Sequence, residues 1–200
     1  MLSEEARTRI EAAVREAERG SSGEIVVVLA RRAGSYKSVP LALGLAVALA
    51  TPGPLILFST MPAARIFAVQ LAATLLAVFA SAWAGIRAVP PALRRDRARA
   101  AALREFTHRG MADTRGRTGV LLYLAVAERY AEVVGDVTIS SRVGEQEWRG
   151  VIEALQADMT AGRIEEALVA AIGRIGAILA RHAPPDQDDR DELQNRVVLI

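Results

Sequence analysis

Six polar residues stand where three apolar runs of the sequence begin or end, and their types could do chemistry. They are Ser22, Glu24, Thr114, Arg117, Thr118 and Asp136. Two carboxylates with nearby hydroxyl and carbonyl oxygens suit a hard cation such as Ca²⁺ or Mg²⁺. An arginine beside them can instead hold a phosphate or neutralise Asp136. Two alternatives follow: a metal or ligand site that uses Glu24 and Asp136, or a structural pairing of these carboxylates with Arg117.

Whether these residues meet depends on the apolar runs beside them. Residues 24–30 are β-branched and apolar, which is typical of a strand buried on both faces, and residues 119–126 and 130–134 predict two further strands. Only Ala127-Glu128-Arg129 joins the last two, so they must form an antiparallel hairpin. If the first strand runs parallel to the second, all six polar residues lie at one edge of the sheet. We expect that edge to point away from the membrane.

Helical periodicity predicts four helices around this sheet. The first starts at Ser3 and ends near Gly20, the second spans Pro91 to Met111, and the last two are separated by Gly162. Apolar residues expected to pack from the second helix are Leu93, Ala100, Leu103 and Phe106. Ser140 and Ser141 are expected to cap a helix. The soluble part is therefore predicted to be a small α/β domain with helices on the faces of a short sheet.

The sequence also predicts a membrane hairpin inside this domain. Residues 39–59 and 66–86 carry no charged side chain, and each is about the 20 residues that a helix needs to cross a bilayer. A pair of buried helices in a soluble core is the alternative. Basic residues flank the outer ends of both spans, so the positive-inside rule places both termini in the cytoplasm of a bacterial inner membrane. Because no ionisable residue lies within either span, we expect an anchor rather than a transport path.

Amino-acid composition and charge exclude cysteine chemistry and give no reason to expect a nucleic-acid partner or a cleaved signal. The 200 residues include no cysteine, which excludes thiolate nucleophiles and disulfides. The net charge of +2 gives no reason to expect a nucleic-acid partner. The charged N-terminus lacks the apolar core of a signal peptide, so no cleaved signal is expected. The basic run after the second span is interpreted as a topology signal, with contact to anionic lipid headgroups as the alternative.

Together these segments resemble the TPM-domain family. The positions that carry the resemblance are Ser22-Gly23-Glu24-Ile25-Val26-Val27-Val28, Thr114, Arg117-Thr118-Gly119-Val120-Leu121-Leu122, Glu128-Arg129, Gly135-Asp136, Ile139, Trp148, Ile175-Gly176, Leu179 and His182. The chain departs from the family pattern at Ala183, where a phenylalanine is expected. The resemblance implies a three-layer α/β/α domain. It also implies phosphatase activity in some members, divalent-cation binding in others, and assembly or auxiliary roles in others.

The predicted organisation is a discontinuous TPM-like domain of residues 1–38 and 87–184, with two transmembrane helices at 39–59 and 66–86. Residues 185–200 are interpreted as an acidic, disordered tail. The predicted function is a membrane-anchored, non-catalytic interaction or assembly module that responds to a cation. Its partners would be the lipid bilayer and another membrane protein. The alternative is a metal-dependent phosphatase at the edge formed by Glu24, Arg117 and Asp136, for which no catalytic residue is assigned.

A reporter fused after Ile200 tests the orientation. Because the basic residues lie at the outer ends of both spans, a fused alkaline phosphatase should be inactive and a fused green fluorescent protein should fluoresce. The matched control carries the same reporters between the spans, after Ala64, where the signals should be reversed. A periplasmic signal from the fusion after Ile200 would overturn the orientation.

Overall fold

The structure is a computed structural model that describes residues 3–114, 116–185 and 197–200. Its elements, in chain order, are α1 (Glu4–Glu18), β1 (Ile25–Ala30), α2 (Ser38–Ala50), α3 (Pro52–Phe58), α4 (Ala63–Ala84), α5 (Pro91–His108), β2 (Val120–Ala125), β3 (Tyr130–Gly135), α6 (Val137–Arg142), α7 (Glu145–Thr160), α8 (Ile164–His182) and β4 (Val197–Leu199). They form two compact units, one of residues 1–33 and 97–200 and one of residues 34–96.

The first unit is a four-stranded sheet with helices on both faces. The strand order is β3-β2-β1-β4, in which β1 pairs parallel with β2 and β4, and β2 pairs antiparallel with β3. This confirms the predicted α/β class, the hairpin and the parallel alignment of the first two strands. All residues of β1 and β2 are buried, as their unbroken apolar sequences require of strands covered on both faces.

Each face of the sheet has its own apolar core. One core contains the side chains of Val27, Val120 and Leu122 together with buried residues of α1, α7 and α8. The other contains Val26, Val28, Leu121 and Tyr123 with the small residues of α5. The alternation of side chains along a strand explains why neighbours in sequence belong to different cores.

Three details of this unit differ from the sequence prediction. α5 packs through the alanines at 98, 101 and 102 and, as predicted, through Phe106, whereas Ala100 is exposed and Leu103 is 47% exposed. Small side chains let this helix approach the sheet closely, and hydrophobicity alone did not identify that face. Ser140 and Ser141 lie inside α6 instead of preceding a helix, because Asp136 provides the N-cap.

The C-terminal end is the third difference. The prediction of a disordered tail over residues 185–200 is wrong for Val197–Leu199, which forms β4 beside β1 with Val27 opposite Val197. The backbone supplies the reason: the Arg31 N–H donates to the Ile200 carbonyl, and the Ile200 N–H donates to the Leu29 carbonyl. Residues 186–196 of the predicted tail lie outside the described residues.

The second unit contains the two apolar segments. Ser38–Phe58 and Ala63–Ala88 are long and apolar enough to cross a membrane, and most of their side chains are exposed in the isolated chain. The proline-containing stretch after Thr51 separates α2 from α3. Gly44 lies against Val78 of α4, and the Gln70 amide donates to the Ala48 carbonyl at 2.9 Å. Close backbone approach and a hydrogen bond between helices are both typical of helix pairs in lipid.

Two glycines of α8 give a matched test of packing in the first unit. A Cβ at Gly176 would lie 2.6 Å from the Ala17 Cβ, whereas a Cβ at Gly173 would meet nothing within 4 Å. We expect Gly176→Ala to lower the free energy of unfolding by about 1–3 kcal/mol through overpacking. Gly173→Ala should raise it by about 0.5–1 kcal/mol through helix propensity. Urea unfolding measures both, and equal effects would contradict the close approach of α1 and α8.

Candidate functional site

The strand register brings Glu24, Thr118 and Asp136 to one edge of the sheet. Hydrogen bonds add the other three: Arg117 contacts Asp136, the Arg117 N–H donates to the Thr114 carbonyl, and the Thr118 hydroxyl donates to the Ser22 carbonyl. Ile25 lies opposite Val120, and Val120 lies opposite Gly135, so the residues just before β1 and β2 and just after β3 are neighbours. We call this group of six residues the polar edge. Backbone hydrogen bonds close it: the Val120 N–H donates to the Glu24 carbonyl and the Asp136 N–H donates to the Gly119 carbonyl.

Asp136 is the most strongly bonded side chain of the polar edge. It is only 4% exposed, and its Oδ2 and Oδ1 accept hydrogen bonds from the Arg117 Nε at 3.1 Å and Nη2 at 3.4 Å. Its Oδ1 also accepts the Val137 N–H at 2.6 Å, which caps α6. Both carboxylate oxygens are therefore used in positioning the chain where β3 turns into α6.

Arg117 reaches Asp136 from a conformation that side chains rarely adopt. Its φ is +50°, and its side chain is 52% exposed. Left-handed backbone at a residue with a large side chain is unfavourable and persists only where the surrounding structure holds it. The bidentate contact with a buried carboxylate is the interaction that offsets this cost.

Thr118 and Ser22 join the two parallel strands at their entrances. The Thr118 hydroxyl donates to the Ser22 carbonyl at 2.7 Å, and the Ser22 N–H donates to the Ala183 carbonyl at 2.9 Å. The entrance of β1 is thus bonded both to the entrance of β2 and to the end of α8. These contacts orient backbone, and they leave the hydroxyl of Thr118 committed as a donor.

Glu24 lies on the other side of Gly119 from Asp136. It is 8% exposed, and two strand spacings of about 4.8 Å separate its backbone from that of Asp136. The Met111 carbonyl oxygen lies over Gly119 between them, only 2.6 Å from where a Cβ would be. The Thr114 hydroxyl is buried and has no hydrogen-bond partner among the described residues.

These oxygens can be tested against the requirements of a hard cation. Two carboxylates, a hydroxyl and a carbonyl are the ligand types that Ca²⁺ and Mg²⁺ prefer. The fit is partial, because Arg117 and the Val137 N–H already occupy the Asp136 carboxylate. Glu24 and Asp136 would hold such a cation only after Arg117 withdrew. Among the described residues, three or more His, Cys, Asp or Glu side chains nowhere converge as a metal cluster.

Tyr123 is a buried polar residue that no sequence pattern indicates as functional. Burial raises the pKa of its hydroxyl to about 12, and the negative charges of Glu128 and Glu105 add to the effect. The phenol therefore stays protonated at neutral pH and cannot act as a general base. Its position in an unbroken apolar run gave no signal, because tyrosine is a common strand residue.

Substitution of Asp136 distinguishes the structural pairing from the cation site. Asp136→Asn keeps a cap for the Val137 N–H but removes the charge that Arg117 contacts. We expect the free energy of unfolding in metal-free buffer to fall by about 1–3 kcal/mol, measured on the full chain in detergent. The control Asp158→Asn breaks a more exposed pair with Arg163 and should change stability by less than about 0.5 kcal/mol. Stabilisation by Asp136→Asn would indicate two repelling carboxylates and support the cation site.

Comparisons with known proteins agree with the fold. Residues 86–178 match the TPM domain family model, a range that includes Thr114, Arg117, Thr118 and Asp136 but not Ser22 or Glu24. The structure is similar to the NMR structure of the BA42 protein from the psychrophilic bacterium Bizionia argentinensis, with a TM-score of 0.63. That likeness covers 100% of this chain and 96% of the other at 22% identity, so it bears on the fold alone. No curated protein sequence matches the chain. Residues 86–178 therefore match the TPM domain, and the α/β core is similar in fold to the BA42 protein.

Proposed function

We propose that the protein is a membrane-anchored, non-catalytic interaction module whose polar edge contacts another membrane protein. The observation that carries this proposal is the commitment of the Asp136 carboxylate to Arg117 and to the N-terminus of α6. A catalytic carboxylate must be available to water, a metal or a phosphoryl group, whereas this one holds backbone and side chain in place.

The outer surface of the polar edge supports a binding role. Val137, the residue after Asp136, is 67% exposed, and the Arg117 guanidinium beside it is half exposed. An apolar side chain next to an arginine that is fixed by a buried partner is the kind of contact found at the centres of protein interfaces. Ordering these groups in advance reduces the entropy lost on binding.

The membrane part of the proposal rests on the two apolar segments. We propose that they place the module on the inner membrane of a bacterium, with both termini in the cytoplasm. Their length, the lack of ionisable side chains over residues 39–59 and 66–86, and the close packing of Gly44 against Val78 fit an anchor. The anchor would concentrate the module near partners in the same bilayer.

Cation response is a further part of the proposal. Because a cation would compete with Arg117 for Asp136, binding would release the guanidinium and change the surface beside Val137. Calcium or magnesium would then act as a regulator of the interface rather than as a cofactor of a reaction. The rival function, a metal-dependent phosphatase, would instead use the released edge to bind a phosphoryl group.

Site-specific crosslinking in native membranes tests the proposal. A photoreactive amino acid at position 137 should give a discrete protein adduct, which Arg117→Gln should weaken. The matched control places the same amino acid at Arg15, an exposed position of α1, and should give none. If the edge responds to cations, calcium should change the yield at position 137 in the wild type.

An enzymatic assay tests the rival function, a metal-dependent phosphatase. The purified full chain should hydrolyse p-nitrophenyl phosphate with calcium or magnesium no faster than Asp136→Asn does. Metal-dependent hydrolysis that disappears in Asp136→Asn would establish the phosphatase. Absence of a specific adduct at position 137 would contradict the proposed interaction module.

A further inference from the structure

A cavity of about 360 Å³ lies at the end of the sheet away from the polar edge. The side chains of Leu124 and Ala131 from the β2–β3 hairpin and of Met159 and Ile164 from α7 and α8 form its apolar wall. Leu124 and Ala131 face each other across the hairpin and are buried in the core. The volume falls at the small end of the range for ligand pockets, which suits a body of about ten non-hydrogen atoms.

Among the described residues that line this cavity, one is a cation. Arg129 lines the opening beside the exposed Gln156 and Thr160. No described residue forms a hydrogen bond or an ion pair with its guanidinium. An apolar cavity with a single convergent charge at its entrance recognises a molecule with an apolar body and a head of opposite charge.

The backbone conformation of Arg129 is unfavourable for an arginine, so the fold alone does not explain this residue. The Arg129 N–H donates to the Val126 carbonyl in the turn between β2 and β3, and its φ is +52°. At the left-handed position of such a hairpin loop glycine is the favoured residue. The chain retains an arginine there, at a cost in backbone strain, without a partner among the described residues to offset it.

The surroundings define the charge of the ligand head. Arg129 supplies the one positive charge among the described residues that line the cavity. A carboxylate matches this single charge and the bidentate face of one guanidinium, whereas a dianionic phosphate would leave one negative charge unmatched. We infer that the cavity binds an amphipathic monocarboxylate, with the carboxylate on Arg129 and the apolar chain between Met159 and Leu124.

The inference is tested by titrating octanoate into the full chain in lipid nanodiscs with ¹³C-labelled methionine methyl groups. Met159 lines the cavity, whereas Met111 is buried in the core on the other face of the sheet and serves as an internal control. Octanoate should shift the Met159 signal saturably and leave Met111 unchanged. 1-Octanol, which has the same chain without the charge, should bind at least tenfold more weakly.

Variants of Arg129 complete the test. Arg129→Gln should weaken octanoate binding at least tenfold, and Arg15→Gln, at an exposed arginine of α1, should leave it unchanged. Arg129→Gly should also abolish binding while raising the melting temperature of the free protein, because it relieves the positive φ. Loss of binding together with a higher melting temperature would show that Arg129 binds the ligand head group rather than stabilising the fold.

Two sources can supply this ligand chemistry, a fatty acid or the C-terminus of an apolar peptide. Octanoate and a short apolar peptide with a free C-terminal carboxylate are therefore tested in competition. The one that binds at the lower concentration identifies the source. Binding of 1-octanol equal to that of octanoate, retention of binding in Arg129→Gln, or no saturable shift of Met159 up to millimolar octanoate would each overturn the inference.

Discussion

The structure depends on the parallel pairing of β1 with β2. Six consecutive residue pairs, from Ile25 with Val120 to Ala30 with Ala125, fix the register between segments far apart in the sequence. A shift of one residue would turn every buried side chain to the other face and exchange the two apolar cores. The same register places Glu24, Thr118 and Asp136 at one edge, so the polar edge follows from core packing.

The two arginines at the ends of β2 share an unusual backbone conformation but differ in their side-chain partners. Arg117 and Arg129 both have positive φ, and each stands where β2 begins or where the hairpin turns. Arg117 has a buried carboxylate as its partner, and its role in positioning α6 is sufficient to explain it. Arg129 has no such partner among the described residues and faces a cavity. The backbone strain at Arg117 is offset by a contact within the protein, whereas the strain at Arg129 would be offset by the bound ligand that we infer.

Much of this fold could be predicted from the sequence because its strongest patterns are local. The buried strands, the short hairpin link, the Ser3 cap and the apolar face of α8 each follow from residue type and spacing within a few positions. β4 could not be predicted, since three apolar residues acquire their conformation only by pairing with β1. Of the buried face of α5 only Phe106 was predicted, because close packing selects alanine over larger apolar residues at 98, 101 and 102. The pairing of Arg117 with Asp136 was one of two open alternatives, and composition could not decide how both carboxylate oxygens are used.

The discontinuous sheet has a consequence for biosynthesis. Thr118 and Ser22, which bond at the strand entrances, are 96 residues apart, and both candidate membrane spans lie between them in the chain. β1 therefore leaves the ribosome long before its partner β2 and must remain unpaired while the apolar segments are made. A segment as apolar as Ile25–Ala30 is prone to aggregate when it is exposed. If the two candidate spans insert into a membrane, as we propose, their early insertion would remove the most apolar part of the nascent chain from water while β1 waits for β2.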